Sequence, residues 1–177
     1  KDPDAASLDV PKADSNFSVA GFSKNLSVDE TVRLQNLYTK NYTDAISGVM
    51  EDQSLSSDKK YEIALKLRSM VAADTKHQFA IELSGGKVQA FQYTKQMYDV
   101  TVAAMKAGKE PEAVQVPYAA ETFSFDGEDH KLDNAQRANL QRTYNSIYAD
   151  MVKDIFEDQS LTDAQKYDQI VTARSRA

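Results

Sequence analysis

The fold turns on two stretches, YTDAISGVMEDQSLSSDKKYEIA from Tyr42 to Ala64 and YADMVKDIFEDQSLTDAQKYDQI from Tyr148 to Ile170. Each joins two apolar-striped segments through the same five residues, Glu-Asp-Gln-Ser-Leu. Working outward, residues 17–69 align with 123–175 at a constant offset of 106 and without a gap, with 18 identities in 53 positions. Phe17, Gly21, Leu26, Leu34, Gln35, Tyr38, Tyr42, Lys60, Tyr61 and Arg68 are among them. A gapless match of this length is the mark of an internal repeat, which decides architecture before any single residue does.

Each copy reads as a short extended lead, a helix, a tight turn and a second helix. The leads are FSVAG and FSFDG, where Gly21 and Gly127 permit a turn that a β-carbon would hinder. Ser27 with Glu30 forms a capping box, and Asp133 with Gln136 takes the matching place. Leu34, Tyr38, Ala45 and Val49 then fall on one helical stripe, with Val32, Leu37, Ile46 and Met50 beside it. The second copy supplies Leu140, Tyr144, Tyr148, Met151, Ile155 and Phe156. After the turn, Ser56 and Thr162 are good N-caps, and Thr162 with Gln165 makes a further box. A short loop between amphipathic helices predicts an antiparallel hairpin.

The expected fold class is therefore all-α: two duplicated antiparallel helical hairpins, a central additional helix and extended linkers. Residues 1–16 are a polar extended arm, 17–83 the first hairpin copy, 84–108 the central helix, 109–122 an extended linker and 123–177 the second copy. Ser84-Gly85-Gly86 ends the first copy. Val88, Phe91, Tyr98, Val102 and Met105 mark one face of a central helix of roughly twenty residues, which Gly108 closes. The second copy stops soon after Arg174, so its last helix is expected to be short or cut.

Composition limits the function. The chain has 177 residues, no cysteine and a formal net charge of −6. Disulfides, thiolate metal sites and cysteine nucleophiles are excluded. The acidic balance argues against general nucleic-acid binding, since clustered Lys and Arg are needed to displace counterions, and here only Arg174 and Arg176 cluster, at a helix end. No apolar run is long enough to span a membrane. The first residue is Lys1, which fits proteolytic maturation or a piece of a longer chain.

No motif marks chemistry. Glu51-Asp52 and Glu157-Asp158 are repeated acidic pairs, yet a calcium loop needs more acidic positions at fixed spacing. Asp52 and Ser54 are expected instead to organise the turn. His77 and His130 lie outside any zinc spacing and are expected at the surface. Phosphate-binding and nucleophile-elbow strings are absent. Three N-x-[ST] strings, at Asn16, Asn25 and Asn41, carry no weight. The reading is of a non-enzyme without catalytic, cofactor-binding or metal residues.

Tyrosine suits both a hairpin core and a wet protein interface, because one end is apolar and the other bonds to water. Tyr38, Tyr42, Tyr144, Tyr148, Phe17 and Phe123 are accordingly the interface candidates. The expected partners are other protein subunits, in a homo-oligomer or a multi-protein assembly, with the arms at 1–16 and 109–122 stapled onto other chains.

A Tyr-bearing helix, an acidic turn with Ser-Leu-Ser or Ser-Leu-Thr and a Lys-containing amphipathic helix resemble helical segments of bacteriophage virion proteins, of the tail tape-measure and internal or ejection type. The FSFDG lead is similar to leads in large phage polyproteins. The likeness covers about half the chain and implies a structural, oligomeric role in the virion with no catalytic residues. A competing resemblance rests on LTDAQ, Leu161–Gln165, which is similar to the LTxxQ motif of small periplasmic helical-hairpin chaperones. It implies a chaperone or adaptor in the periplasm. The first copy has Leu-Ser-Ser-Asp-Lys there and lacks the glutamine.

Overall fold

The computed structural model describes residues 8–19, 22–83, 85 and 94–176. The described chain is mostly helical. It runs β1 (Asn16–Val19), β2 (Phe22–Asn25), α1 (Val28–Met50), α2 (Ser57–Leu83), α3 (Lys95–Lys106), a 3-10 turn at Pro111–Val114, β3 (Thr122–Phe125), β4 (Glu128–Lys131), α4 (Asn134–Glu157) and α5 (Asp163–Arg176).

The helix starts are set by their caps. Ser27 and Glu30 satisfy each other's backbone N–H groups at α1, and Asp133 and Gln136 do so at α4. Ser56 Oγ accepts from Lys59 N ahead of α2, and Thr162 and Gln165 close a reciprocal box ahead of α5. All four starts were legible in the residue order. The stripe Leu34, Tyr38, Ala45 and Val49 is buried as expected, whereas Val32 and Met50 beside it face outward.

α1 and α2 pack as an antiparallel pair. Lys60 Nζ donates to Met50 O at one end, Asn41 Nδ2 donates to Thr75 Oγ1 and Gln78 Oε1 in the middle, and Arg33 pairs with Glu82 at the other. The central helix is shorter than its apolar stripe indicated. α3 begins at Lys95, and Val88 and Phe91 lie outside the described residues. It ends as expected at Gly108, whose φ of 71° needs no β-carbon. Gly108 N and Lys109 N donate to Met105 O and Ala104 O, the paired bonds of a glycine-closed helix end.

The mostly helical expectation holds at the coarse level, with two small two-stranded sheets added to it. The leads are not single extended pieces but two small antiparallel hairpins, β1–β2 and β3–β4, with matching registers: Phe17 faces Lys24, and Phe123 faces His130. Asp126 and Gly127 both have positive φ between β3 and β4, the mirror-image two-residue turn that suits right-handed strand twist. Asp-Gly was the available signal. It was outweighed because FSKN and EDHK are short and polar and offer no apolar alternation.

One core joins both halves. Tyr42, Val49, Leu67 and Val71 of α1 and α2 meet Val100 and Val102 of α3, and these meet Tyr148, Val152, Phe156 and Ile170 of α4 and α5. A second cluster, around Phe17, Leu26, Leu34, Tyr38 and Phe79, seals β1–β2 against α1 and the far half of α2. Tyr38 and Tyr42, one turn apart, thus serve different clusters. A buried aromatic or aliphatic side chain contributes roughly 1.5–3 kcal/mol, so the shared core dominates the packing.

Candidate interaction surfaces

The extended segments were expected to reach other chains. Residues 8–15 and 114–121 are instead held by the helices that follow them, through bonds that recur 106 residues apart. Gln35 Oε1 accepts from Ala13 N while its Nε2 donates to Pro11 O, and Gln141 does the same for Ala119 N and Pro117 O. Tyr42 donates to Leu8 O and Tyr148 to Val114 O, each at 2.5 Å. Arg68 Nε donates to Asp9 O and Arg174 Nε to Gln115 O. Leu26 N and Leu132 N return to Ser15 O and Glu121 O. Backbone groups dominate these clips because a proline-containing extended segment has its amides and carbonyls unpaired and must find partners. Three identities, Val10, Pro11 and Ala13 with Val116, Pro117 and Ala119, were the sequence signal for it.

These clips engage two of the tyrosines expected at an interface, Tyr42 and Tyr148, and packing takes up others. Tyr38, Tyr42, Tyr148 and Phe17 are buried. Tyr144 is half-buried against the shared core. Only Phe123 opens to solvent, at 36%. Burial pushes the Tyr38 hydroxyl up to about 12 and the Tyr148 hydroxyl higher still, so both remain protonated donors at any physiological pH.

The acidic turns do the structural work expected of them. Asp52 Oδ1 accepts from Ser54 N and Oγ, and Asp158 Oδ1 from Ser160 N and Oγ. Lys106 of α3 also bonds Asp52, and this pairing, with the Ser54 bonds, holds the carboxyl far below the usual range. The Ser160 bonds lower Asp158 in the same direction. The carbonyl ends of α1 and α4 are capped by lysines reaching back from the next helix, Lys60 to Met50 O and Lys166 to Phe156 O. Thr162 and Gln165, the residues behind the LTxxQ likeness, are occupied as the cap of α5. Among the described residues no three His, Asp or Glu side chains converge in a way that would hold a metal ion. No described helix is long and apolar enough to cross a membrane.

The polar group of most chemical interest lies where residues 114–121 cross α2. Asp74 is buried and accepts from Gln115 Nε2 at 3.1 Å and from the Tyr118 hydroxyl. Tyr118 stacks on His77, which was expected at the surface and is buried instead. Desolvation lowers the His77 pKa, while its Nδ1 lies 2.8 Å from Ala73 O. The adjoining cavity, lined by His77, Gln141 and Arg142, is about 20 Å³, room for one water and not for a substrate. Sequence reasoning passed over this cluster because its members are scattered singly across two elements.

Large apolar side chains do remain outside: Val28 and Val32 one turn apart on α1, Met50 and Tyr61 at the first turn, and Phe123, Phe125 and Ile147 in the second half. Compared with protein-family models, curated proteins and solved structures, the chain finds no match.

Proposed function

We propose that the chain is a non-enzymatic structural component of a larger assembly, a phage particle, where it serves as a tail, internal or ejection protein through helical protein–protein contacts. The outward apolar side chains carry this reading. Val28 and Val32 lie one turn apart on α1 and Phe125 stacks on Phe123, and contiguous exposed apolar groups mark interaction sites. The polar groups support it from the other side, because Asp52, Asp74, Gln141 and the buried tyrosines are engaged in internal bonds and do not converge on a substrate-sized cleft.

The same reading takes residues 8–69 and 114–175 as duplicated copies of one hairpin unit. The recurrence of the Gln, Tyr, Arg and Lys bonds at a spacing of 106 supports it, as does the common strand register. Duplicated units that share a core are a usual way to build an elongated, multivalent subunit. The particle assignment rests on the likeness of the two Tyr-rich hairpin strings to virion proteins.

Sedimentation velocity of the chain over a wide concentration range tests the proposal. Concentration-dependent association is expected. A compact monomer at every concentration would count decisively against a subunit that works by contact.

A further inference from the structure

Two different peptide sequences fill equivalent clips. Residues 8–15 read LDVPKADS and residues 114–121 read VQVPYAAE, which share only Val, Pro and Ala at the third, fourth and sixth places. In the first half, Tyr42 and Arg68 donate to the carbonyls of Leu8 and Asp9, while Gln35 donates to Pro11 O and accepts from Ala13 N. All of these bonds end on backbone. The clip therefore reads an extended path, which Pro11 presets and anchors with its buried ring. The two straps are not held equally. Val114, Val116 and Ala119 of the second are buried, whereas Leu8, Val10 and Ala13 of the first are half-buried. Gln115 and Tyr118 also bond Asp74 of α2, and Tyr118 stacks on His77, so the second strap is gripped from two sides. Their counterparts in the first strap, Asp9 and Lys12, are exposed. Few buried apolar contacts and outward-facing backbone bonds make the first strap the more easily released.

We propose that the clip of Gln35, Tyr42 and Arg68 is a binding site for an extended Val-Pro-x-Ala segment, and that in the assembly residues 8–15 of a second copy of the chain fill it in exchange for its own. The inference rests on reading the chain as an assembly subunit, and it names the neighbour. Reciprocal exchange of an identical element keeps every bond of both straps, so the opposing term is the entropy of bringing two copies together. A foreign segment would displace the strap and leave its carbonyls and Pro11 without a site. The strap in its own chain competes at an effective concentration of about millimolar, which neighbouring copies in an assembly can match. The hinge lies at residues 14–16. Asp14 Oδ1 accepts from Asn16 N in a side-chain turn, and Ser15 O accepts from Leu26 N. β1–β2 thus stays on its own helices while residues 8–13 swing. The second strap is joined to α3 and β3 at its two ends and held by α2, so it stays in place.

The test uses full chains with one side of the contact disabled. Pro11→Asp with Ala13→Asp spoils the strap and opens the clip, and Gln35→Ala with Arg68→Ala spoils the clip and frees the strap. Circular dichroism verifies that each is folded, and Pro11→Ser with Ala13→Ser replaces the acidic pair if that pair unfolds the chain. A labelled peptide of residues 8–15 is titrated into the strap-disabled chain and followed by fluorescence anisotropy. Saturable binding is expected, with an unlabelled peptide of residues 114–121 competing for the site. Adding Gln35→Ala to the chain, or Pro11→Asp to the peptide, is expected to weaken it by at least about tenfold, and Lys12→Ser in the peptide to leave it unchanged. In an equal mixture, the strap-disabled and clip-disabled chains are expected to sediment as a one-to-one heterodimer. Absence of peptide binding, or binding indifferent to Gln35→Ala, overturns the inference. A mixture that sediments as two monomers overturns it as well, even where the peptide binds. If both arms fail while the unaltered chain still associates with concentration, only the exchange is lost. An unaltered chain that stays monomeric throughout removes the subunit reading beneath it.

Discussion

Tyr118 lies flat on His77, with ring centroids 4.0 Å apart and planes 8° from parallel. The stack presses the 114–121 segment onto α2, so the protonation of His77 is tied to the junction between the halves. Burial lowers its pKa, the Ala73 carbonyl partly offsets this, and Arg137 and Lys76 add to the lowering. The unfolded histidine titrates near 6.5, so the unfolded chain binds the proton more readily as pH falls. Stability is therefore fully present above about pH 6.5 and declines below it. The melting temperature is expected to fall between pH 7.5 and 5.5, and His77→Phe to flatten that slope. Thermal melts by circular dichroism across this window decide it, and parallel slopes for the two proteins would assign the acid sensitivity elsewhere.

Gln141 clamps the second extended segment with both ends of its amide, accepting from Ala119 N at 2.7 Å and donating to Pro117 O at 3.0 Å. Its Nε2 also reaches Asn145 Oδ1. Gln141→Ala strands the Ala119 amide in a buried place, at a cost of about 1–3 kcal/mol. Hydrogen exchange at Ala119 is expected to accelerate more than exchange in the middle of α4. Equal acceleration at both would mean that the segment opens only with the whole fold.

Lys166 caps the end of α4 from a buried position, whereas Lys60 makes the same bond to Met50 O from a more exposed one. Removing a buried charge-assisted donor leaves the Phe156 carbonyl unpaired. Lys166→Met is expected to cost about 1–3 kcal/mol in urea denaturation and Lys60→Met less than about 1 kcal/mol. The reverse order would show that the second turn is wetter than its geometry indicates.

The helices could be read from the residues because caps, turns and stripes agreed on the same boundaries. The far half of α2 was harder. Asp74, Thr75, His77 and Gln78 are all buried beside Met70, Phe79 and Ile81, because this helix is covered by α1 and β1–β2 on one side and by residues 114–121 and α4 on others. A helix enclosed on several sides has no single apolar stripe to display. The extended segments stayed illegible for a different reason. Their clips grip backbone carbonyls and amides, which every residue supplies, so only Gln35 and Gln141 and a few small identities betray them. Among the interface candidates, Tyr38, Tyr42, Tyr148 and Phe17 are buried within the chain, and for the tyrosines the two uses coincide. A Tyr hydroxyl that bonds a buried carbonyl looks, in sequence, the same as one that bonds water.

Phe17 and Phe123 provide the sharpest contrast between identical residues in corresponding strands. Phe17 is 4% exposed, with the ring centroids of Phe22 and Phe79 6.2 and 5.7 Å from its own, while Phe123 is 36% exposed and stacks only on Phe125 among the described ring pairs. Truncating a buried phenylalanine loses its transfer energy and leaves a cavity, about 3–5 kcal/mol, whereas an exposed one costs less than about 1 kcal/mol. Phe17→Ala is therefore expected to lower the urea midpoint substantially and Phe123→Ala to leave it nearly unchanged. The difference isolates what the far half of α2 contributes, because the strand register, the preceding segment and the following capped helix are common to both sites. Equal losses would require β3–β4 to be covered in solution by something of the chain's own.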